Sequence, residues 1–251
     1  MALFRKKHDS GSSSGQAGTA SRMPSHIAFI MDGNGRWARK RGMSREHGHA
    51  AGAENMKTIV RYCGSIGIDY VSLYVFSTEN WKRPKHEVDA IMDLFSSYLD
   101  EAKREIGKDD AHYVFMGDKS AFSEEFREKM TELEKLSEGR KVTVNFTINY
   151  GGRDDINHAC SELLKDGCTD FTEEEISARL YTKGCPDPDI IVRTGGEKRL
   201  SNFLLWQSSY SELYFTDTLW PDLKTREIDR ILADFMKRDR RFGGLSNDST
   251  R

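Results

Sequence analysis

The sequence predicts an α/β fold: a single domain with a mostly parallel central sheet of about six strands, helices on its faces and an apolar tunnel. Three observations lead there. Short runs of β-branched and aromatic residues recur along the chain. Segments with apolar residues at helical spacing stand between them. The strand ends run into polar loops carrying glycine and arginine, and open parallel sheets hold ligands at those ends.

Strands are expected at 26–31 (HIAFIM), 70–76 (YVSLYVF), 112–116 (HYVFM), 142–148 (VTVNFTI), 189–193 (DIIVR) and 202–206 (NFLLW). Helices are expected between and after them. Residues 49–65 put Ala53, Met56, Val60 and Cys63 on one face. Residues 86–104 carry a broad stripe of Val88, Ile91, Met92, Phe95, Tyr98, Leu99 and Ala102. Residues 172–180 open with a capping box, Thr172 to Glu175. Residues 225–238 bring Ile228, Ile231, Leu232 and Phe235 together. Strands alternating with helices argue for a parallel sheet covered on both faces.

Composition narrows the class. The chain has 251 residues, 37% hydrophobic and 31% charged, with a net charge of −2. That balance gives no global attraction to nucleic acid, and an RNA-binding face would want a basic patch with interleaved aromatics. No apolar run approaches the length of a membrane span. The four cysteines have neither CxxC spacing nor nearby His partners, and no secretory signal is visible, so reduced thiols in the cytoplasm are expected. Residues 1–23 contain the Gly/Ser/Ala-rich stretch SGSSSGQAGTAS and read as a flexible extension, and 245–251 as a flexible tail. The domain is expected over 24–244. Arg240 and Arg241 read as a solvated charge run.

Four loops should crowd one edge of the sheet: DGNGR after the first strand, STENWKRP after the second, NYGGRDD after the fourth and RTGGEKRLSN after the fifth. Gly33 and Gly35 allow backbone N–H groups to turn inward as an anion-binding nest. A helix starting near Trp37 would add its positive end. Arginines supply forked phosphate contacts. Asp32 would repel a phosphate unless a magnesium ion stood between them. The chemistry therefore reads as diphosphate plus Mg²⁺, against the plainer reading of a strand-to-helix turn with solvated charges. No GxxxxGK[ST] motif is present. Gly33-x-Gly35-x-x-Ala38 fits the loose dinucleotide fingerprint, but the next strand ends about twice as far on as that motif requires. Asp109-Asp110 and Asp154-Asp155 lack the third acid of a DDxxD pair.

Four stretches, HIAFIMDGNGRWARKRG, REHGHAAGA, YVFSTENWKRP and IVRTGGEKRLSNFLLWQSSYSELYFTDTLWPD, resemble the cis-prenyltransferase family, of the bacterial undecaprenyl diphosphate synthase type. The resemblance runs from about residue 24 to RRFGG at 240–244, where it offers a second reading of Arg240 and Arg241 as groups crossing the dimer interface toward the partner's diphosphate. It implies a homodimeric enzyme that condenses isopentenyl diphosphate onto farnesyl diphosphate with cis geometry, making a lipid carrier for cell-wall precursors. It implies catalytic roles for Asp32, Asn34, Ser77 and Asn80. It implies substrate binding by Gly33, Asn34, Gly35, Arg36, Trp37, Arg45 and His49, by Ser77, Thr78, Glu79, Trp81 and Arg83, and, for isopentenyl diphosphate, by Arg193, Arg199 and Ser201. It implies Mg²⁺ ligation by Asp32 and by Glu212, the latter from either subunit. Lys198 departs from a histidine found in some relatives. The implied location is cytoplasmic, with loose contact at the inner face of the membrane allowed.

Plainer readings stand beside several of these. Trp81 suits core packing, His49 suits a helix cap, and Asn34 and Ser77 suit loop bracing. Some members of the family are non-catalytic partner subunits, but those lose the metal acid that Asp32 supplies. NFLLWQSSYSELYF is apolar enough to form the dimer contact. The strand at 142–148 and the helix at 86–104 either close into core or stand apart as a lipid tunnel with Val142 near its closed end.

Overall fold

A computed structural model of the chain describes residues 23–107 and 110–238. The expected N-terminal extension apart from Met23, the C-terminal tail, and Arg240 and Arg241 lie outside the described residues.

The six strands are β1 His26–Ile30, β2 Tyr70–Ser77, β3 Ala111–Met116, β4 Val142–Tyr150, β5 Ile190–Arg193 and β6 Glu212–Phe215. All neighbours pair in parallel, in the order β3-β4-β2-β1-β5-β6. β1 thus has β2 on one side and β5 on the other, and the sheet grows both ways from it. The crevice above such a switch point is where open α/β sheets take their ligands. The described residues also form α1 Asn34–Arg39, α2 Arg45–Ser65, α3 Lys85–Arg104, α4 Glu124–Leu136, α5 Gly152–Lys165, α6 Glu173–Ser177 and α7 Thr225–Phe235.

Strand alternation explains the two layers. Ile27 and Phe29 of β1, Val71 and Leu73 of β2, and Val144 and Phe146 of β4 face one core under α2, α3, α4 and α7. Ala28, Ile30, Ile191 and Tyr150 face the other side, where Phe203 and Leu204 cover them. The second face is partly polar, with a hydrogen-bonded histidine at its centre. His26 is 2% exposed, and its ring nitrogens meet the Pro186 carbonyl at 2.7 Å and Ser72 Oγ at 2.8 Å. Burial holds this imidazole down at about pKa 4, so it enters the fold neutral.

The expected strand at 202–206 is not one. Asn202 and Leu204 have φ of 66° and 43°, in the left-handed region, which breaks an extended run. Its apolar side chains cap the sheet's second face instead, and the sixth strand lies further on at Glu212–Phe215. Short apolar runs do not distinguish these outcomes by pattern alone. The helices α4 and α5 were not expected from the sequence. The capping box at Thr172 forms as expected, with Thr172 N donating to Glu175 Oε2 at 2.8 Å and Glu175 N to Thr172 Oγ1 at 3.3 Å.

Two bulges face each other near the upper end of β2. Tyr74 pairs Thr147 and Phe76 pairs Ile148, so Val75 is the extra residue on β2; Ser77 pairs Tyr150, so Asn149 is the extra one on β4. Bulges re-aim side chains near sites, and here Val75 and Ser77 both reach the cavity described below.

Candidate active site

Above β1 the chain turns through Met31, Asp32 and Gly33. Gly33 has φ +113°, and a Cβ there would meet Leu219 at 2.9 Å, so the turn requires glycine. α1 starts immediately, at Asn34 rather than near Trp37, and no side chain caps it. Its first N–H groups therefore have no intrahelical acceptor. Gly35 differs from expectation. Its backbone is helical, and a Cβ there would lie 3.1 Å from Arg45 Nε, so the Arg45 side chain passes close over it. Gly48 and Gly52 of α2 leave space in the same way for the carbonyl and the side-chain amide of Asn34.

The Asp32 carboxylate is bracketed by two guanidinium groups. Arg36 Nη2 donates to Oδ1 at 3.0 Å and Arg193 Nη2 to Oδ2 at 2.9 Å. The Asp32 side chain is 29% exposed while that of Arg193 is 6% exposed. The acid keeps an open side with its charge already balanced.

A second acid repeats this arrangement beside the first. Glu87 Oε2 accepts from Arg45 Nη1 at 2.8 Å, and Oε1 from Arg83 Nη1 at 2.9 Å. His49 Nε2 stands 3.9 Å from Oε1. Burial, then the Arg83 charge, holds the His49 imidazole below its ordinary pKa against the pull of Glu87, so it is neutral at pH 7. Glu87 was absent from the residues expected at the site. Its spacing of four from Arg83 on a helix start was the available signal.

The loops after β2, β4 and β5 are tied together. Asn80 Oδ1 accepts from Ser77 N at 3.1 Å. Asn202 Nδ2 donates to Glu79 Oε1 at 2.9 Å, and its Oδ1 accepts from Arg153 N at 2.9 Å. Burial raises the Glu79 pKa, but the Asn202 bond and nearby backbone and hydroxyl donors outweigh it, and the net pKa lies below the ordinary value. Arg193 Nη1 donates to the Arg199 carbonyl and to Ser201 Oγ, both at 2.6 Å. Ser201 and Asn202 both have positive φ, 49° and 66°. Non-glycine residues hold such conformations only where their surroundings fix them.

Asp32, Asn34, His49, Ser77, Glu79, Asn80, Arg83, Arg193, Arg199 and Ser201 all line one cavity of about 670 Å³. Gly33, Gly35, Arg36 and Arg45 line an adjoining recess with Glu87. Below this polar mouth the cavity wall is apolar: Ala53, Met56, Val75, Ile91, Leu94, Phe95 and Tyr98. The wide stripe of α3 is thereby explained. Leu99 and Ala102 serve the core, while Ile91, Phe95 and Tyr98 face the cavity. Of the two alternatives for the strand at 142–148, the structure gives closure into core, and the apolar cavity stands elsewhere. It lies between α2, α3 and the end of β2, whereas β4 closes into solid core. Phe146 meets Phe95 at 5.9 Å and Tyr98 at 5.5 Å between ring centroids. Val142 is 6% exposed, sits against Gly64 and does not line the cavity.

Four expected residues lie away from it. Trp37 Nε1 donates to Asp222 at 2.8 Å on the far side of α1. Thr78 Oγ1 abuts Gly151. Trp81 is 41% exposed and its Nε1 donates to Asn149 Oδ1 at 2.7 Å, so it is not the core residue of the plainer reading. Glu212 begins β6, level with Ile190 and hence with Ile27, at the opposite edge of the sheet from Asp32. At about 3.3 Å per residue the strand alone puts roughly 10 Å between those edges. Its partner is Arg238, so within one chain it does not share a metal with Asp32. Asp155 is fully buried and held by Tyr150, Gln207 and the Tyr181 N–H, a structural network rather than half of a DDxxD pair.

Among the described residues no three His, Cys, Asp or Glu side chains converge as a metal cage. Mg²⁺ does not require one, since it binds through one or two carboxylates and substrate phosphates. Asp32 fits that mode, offering a partly open carboxylate at the mouth. Asn34 Oδ1 and Arg193 Nε are buried beside it without hydrogen-bond partners among the described residues. No helix of the described residues is long and apolar enough to cross a membrane. The four cysteines are free.

The chain matches the family model Prenyltransf, "Putative undecaprenyl diphosphate synthase", over residues 30–243. It is 46% identical over 231 residues to the isoprenyl transferase of Thermotoga maritima, spanning 90% of this chain and 99% of that protein. It is 45% identical over 226 residues to the isoprenyl transferase of Fusobacterium nucleatum, spanning 90% and 98%. Among solved structures, lavandulyl diphosphate synthase from Lavandula x intermedia, in complex with dimethylallyl diphosphate, superposes with a TM-score of 0.83 at 32% identity, over 88% of this chain and 98% of that one. A "probable undecaprenyl diphosphate synthase" from Campylobacter jejuni gives 0.76 at 37%, over 88% and 99%. With the arginine-lined mouth, the apolar cavity beneath it and these matches in agreement, the chain belongs to the undecaprenyl diphosphate synthase family and is a prenyltransferase.

Proposed function

We propose that this enzyme condenses isopentenyl diphosphate repeatedly onto farnesyl diphosphate with cis geometry, giving undecaprenyl diphosphate for cell-wall lipid carrier synthesis. One observation carries the reading: a charged mouth opens directly onto an apolar cavity between α2 and α3. A prenyl diphosphate has one charged end and one apolar end, in the same order.

The reaction breaks an allylic C–O bond. Charge grows on the departing diphosphate while the alkene of isopentenyl diphosphate attacks the allylic carbon, and the condensed unit then loses its C2 proton to an oxygen of the departing diphosphate, which forms the new cis double bond. In this reading Gly33, Asn34, Gly35, Arg36, Arg45, His49 and Arg83 cradle the allylic diphosphate, where preorganised donors act on developing charge. Arg193, Arg199 and Ser201 hold isopentenyl diphosphate, and Ser77 and Asn80 lie between the two groups. When bound at Asp32, magnesium supplies positive charge to the leaving diphosphate. The apolar walls keep water from the electron-poor allylic carbon. Burying methylenes gains about 0.8 kcal/mol each, so each added unit strengthens retention of the growing chain until it meets Phe95 and Tyr98.

Labelled isopentenyl diphosphate and farnesyl diphosphate, incubated with the enzyme and resolved by chromatography, should give a ladder of cis-extended products only with Mg²⁺. A single condensation product, or full elongation in chelator, would reject the reading.

We also place a homodimer contact along β6. This edge strand leaves Leu213 41% exposed, and Tyr210 before it is 66% exposed. Such an edge invites pairing with a second chain. Only across that contact could Glu212 approach a partner's site. Sedimentation at micromolar concentration should show twice the chain mass, and an active monomer would remove the proposal.

A further inference from the structure

The site contains two buried-to-half-buried acids, each gripping two arginines, yet they differ in one respect. The Asp32 side chain is 29% exposed and opens to the cavity. The Glu87 side chain is 6% exposed and is covered by the cations it binds. We propose that Glu87 is a positioning residue that aims Arg45 and Arg83 at the allylic diphosphate. The inference rests on the reading above that those two arginines face that group.

The geometry supports this division of labour. Arg45 opens α2, Arg83 sits in the loop before α3, and Glu87 stands in the first turn of α3. One carboxylate therefore ties the start of α2 to the start of α3 and the loop leading into it. Each arginine gives Glu87 a single Nη1 donor, which leaves its other N–H groups for a ligand. Both side chains remain open to the recess, at 57% and 37% exposure. Long arginine stems would otherwise sample many rotamers, and holding them in place removes that entropy cost from substrate binding. Glu87 also lies one turn before Ile91, so the helix that walls the cavity is pinned to the anion recess.

Glu87→Gln keeps the volume but cannot accept from both arginines as an anion does. Its KM for farnesyl diphosphate should rise at least about tenfold, the scale of a lost charge-assisted contact. The KM for isopentenyl diphosphate should stay within about twofold, which a general loss of structure would not produce. In a double-mutant cycle, Arg83→Ala combined with Glu87→Gln should be little worse than Arg83→Ala alone. Two unchanged KM values, or fully additive effects, would reject the role of Glu87 and leave the site assignment standing. A rise confined to isopentenyl diphosphate would instead reject the placing of Arg45 and Arg83 on the allylic side.

Discussion

Asp32→Ala lowers kcat by at least about 10²- to 10³-fold, the loss typical of removing one preorganised group from a site of developing charge. Farnesyl diphosphate should still bind within a few-fold of normal. The structure gives the reason. Asp32 occupies one arm of Arg36 and one of Arg193, and its removal frees both arms for ground-state phosphate. The loss therefore falls on the transition state, which depends on the metal that the carboxylate would hold. Steady-state kinetics with direct measurement of farnesyl diphosphate binding separates the two. Asp32→Asn, which keeps the acceptor contact with less charge, guards against a folding artefact. Near-normal turnover in either variant would end the metal assignment.

Arg193→Ala should raise the KM for isopentenyl diphosphate by about 10- to 150-fold, corresponding to a charge-assisted contact of about 1.5–3 kcal/mol. It should also lower kcat, because the same side chain pairs with Asp32 and supports the Arg199 carbonyl and Ser201. Arg199→Ala should raise that KM with kcat nearly intact. Its side chain is 62% exposed and, among the described residues, reaches Glu197 and Ser201. The contrast between a buried organiser and an exposed arm is visible in the ratio of kcat to KM effects. A raised KM for the allylic substrate alone, in both variants, would reverse the assignment of the two diphosphate sites.

Five of six strands and four helices were legible in the sequence because each obeys a local rule. Alternation sets β1, β2 and β4, and apolar stripes set α2, α3 and α7. The sixth strand was not legible. Residues 202–206 have strand-like composition, but φ is positive at Asn202 and Leu204, and Arg153 of α5 and Glu79 of the loop after β2 hold Asn202 from distant parts of the chain. Strand β6 itself is only four residues long, with Glu212 and Leu213 facing partly outward.

The sequence by itself determined which chemistry the chain carries. An acid among glycines after a strand, and arginines flanking a glycine loop after another, are covalently close, so their proximity needed no fold. Tertiary structure decided the rest. It set the Arg45 side chain against Gly35, since the two meet only when α1 docks on α2. It brought Glu87 between Arg45 and Arg83, and set Glu212 at the sheet's far edge through the parallel register of β5 and β6. It put the cavity beside β2 rather than β4, because aromatic rings at Phe95, Tyr98, Phe115 and Phe146 fill the space over β4. Each of these depends on residues far apart in the chain, whose distances are fixed by packing and register and leave no periodic trace in the sequence.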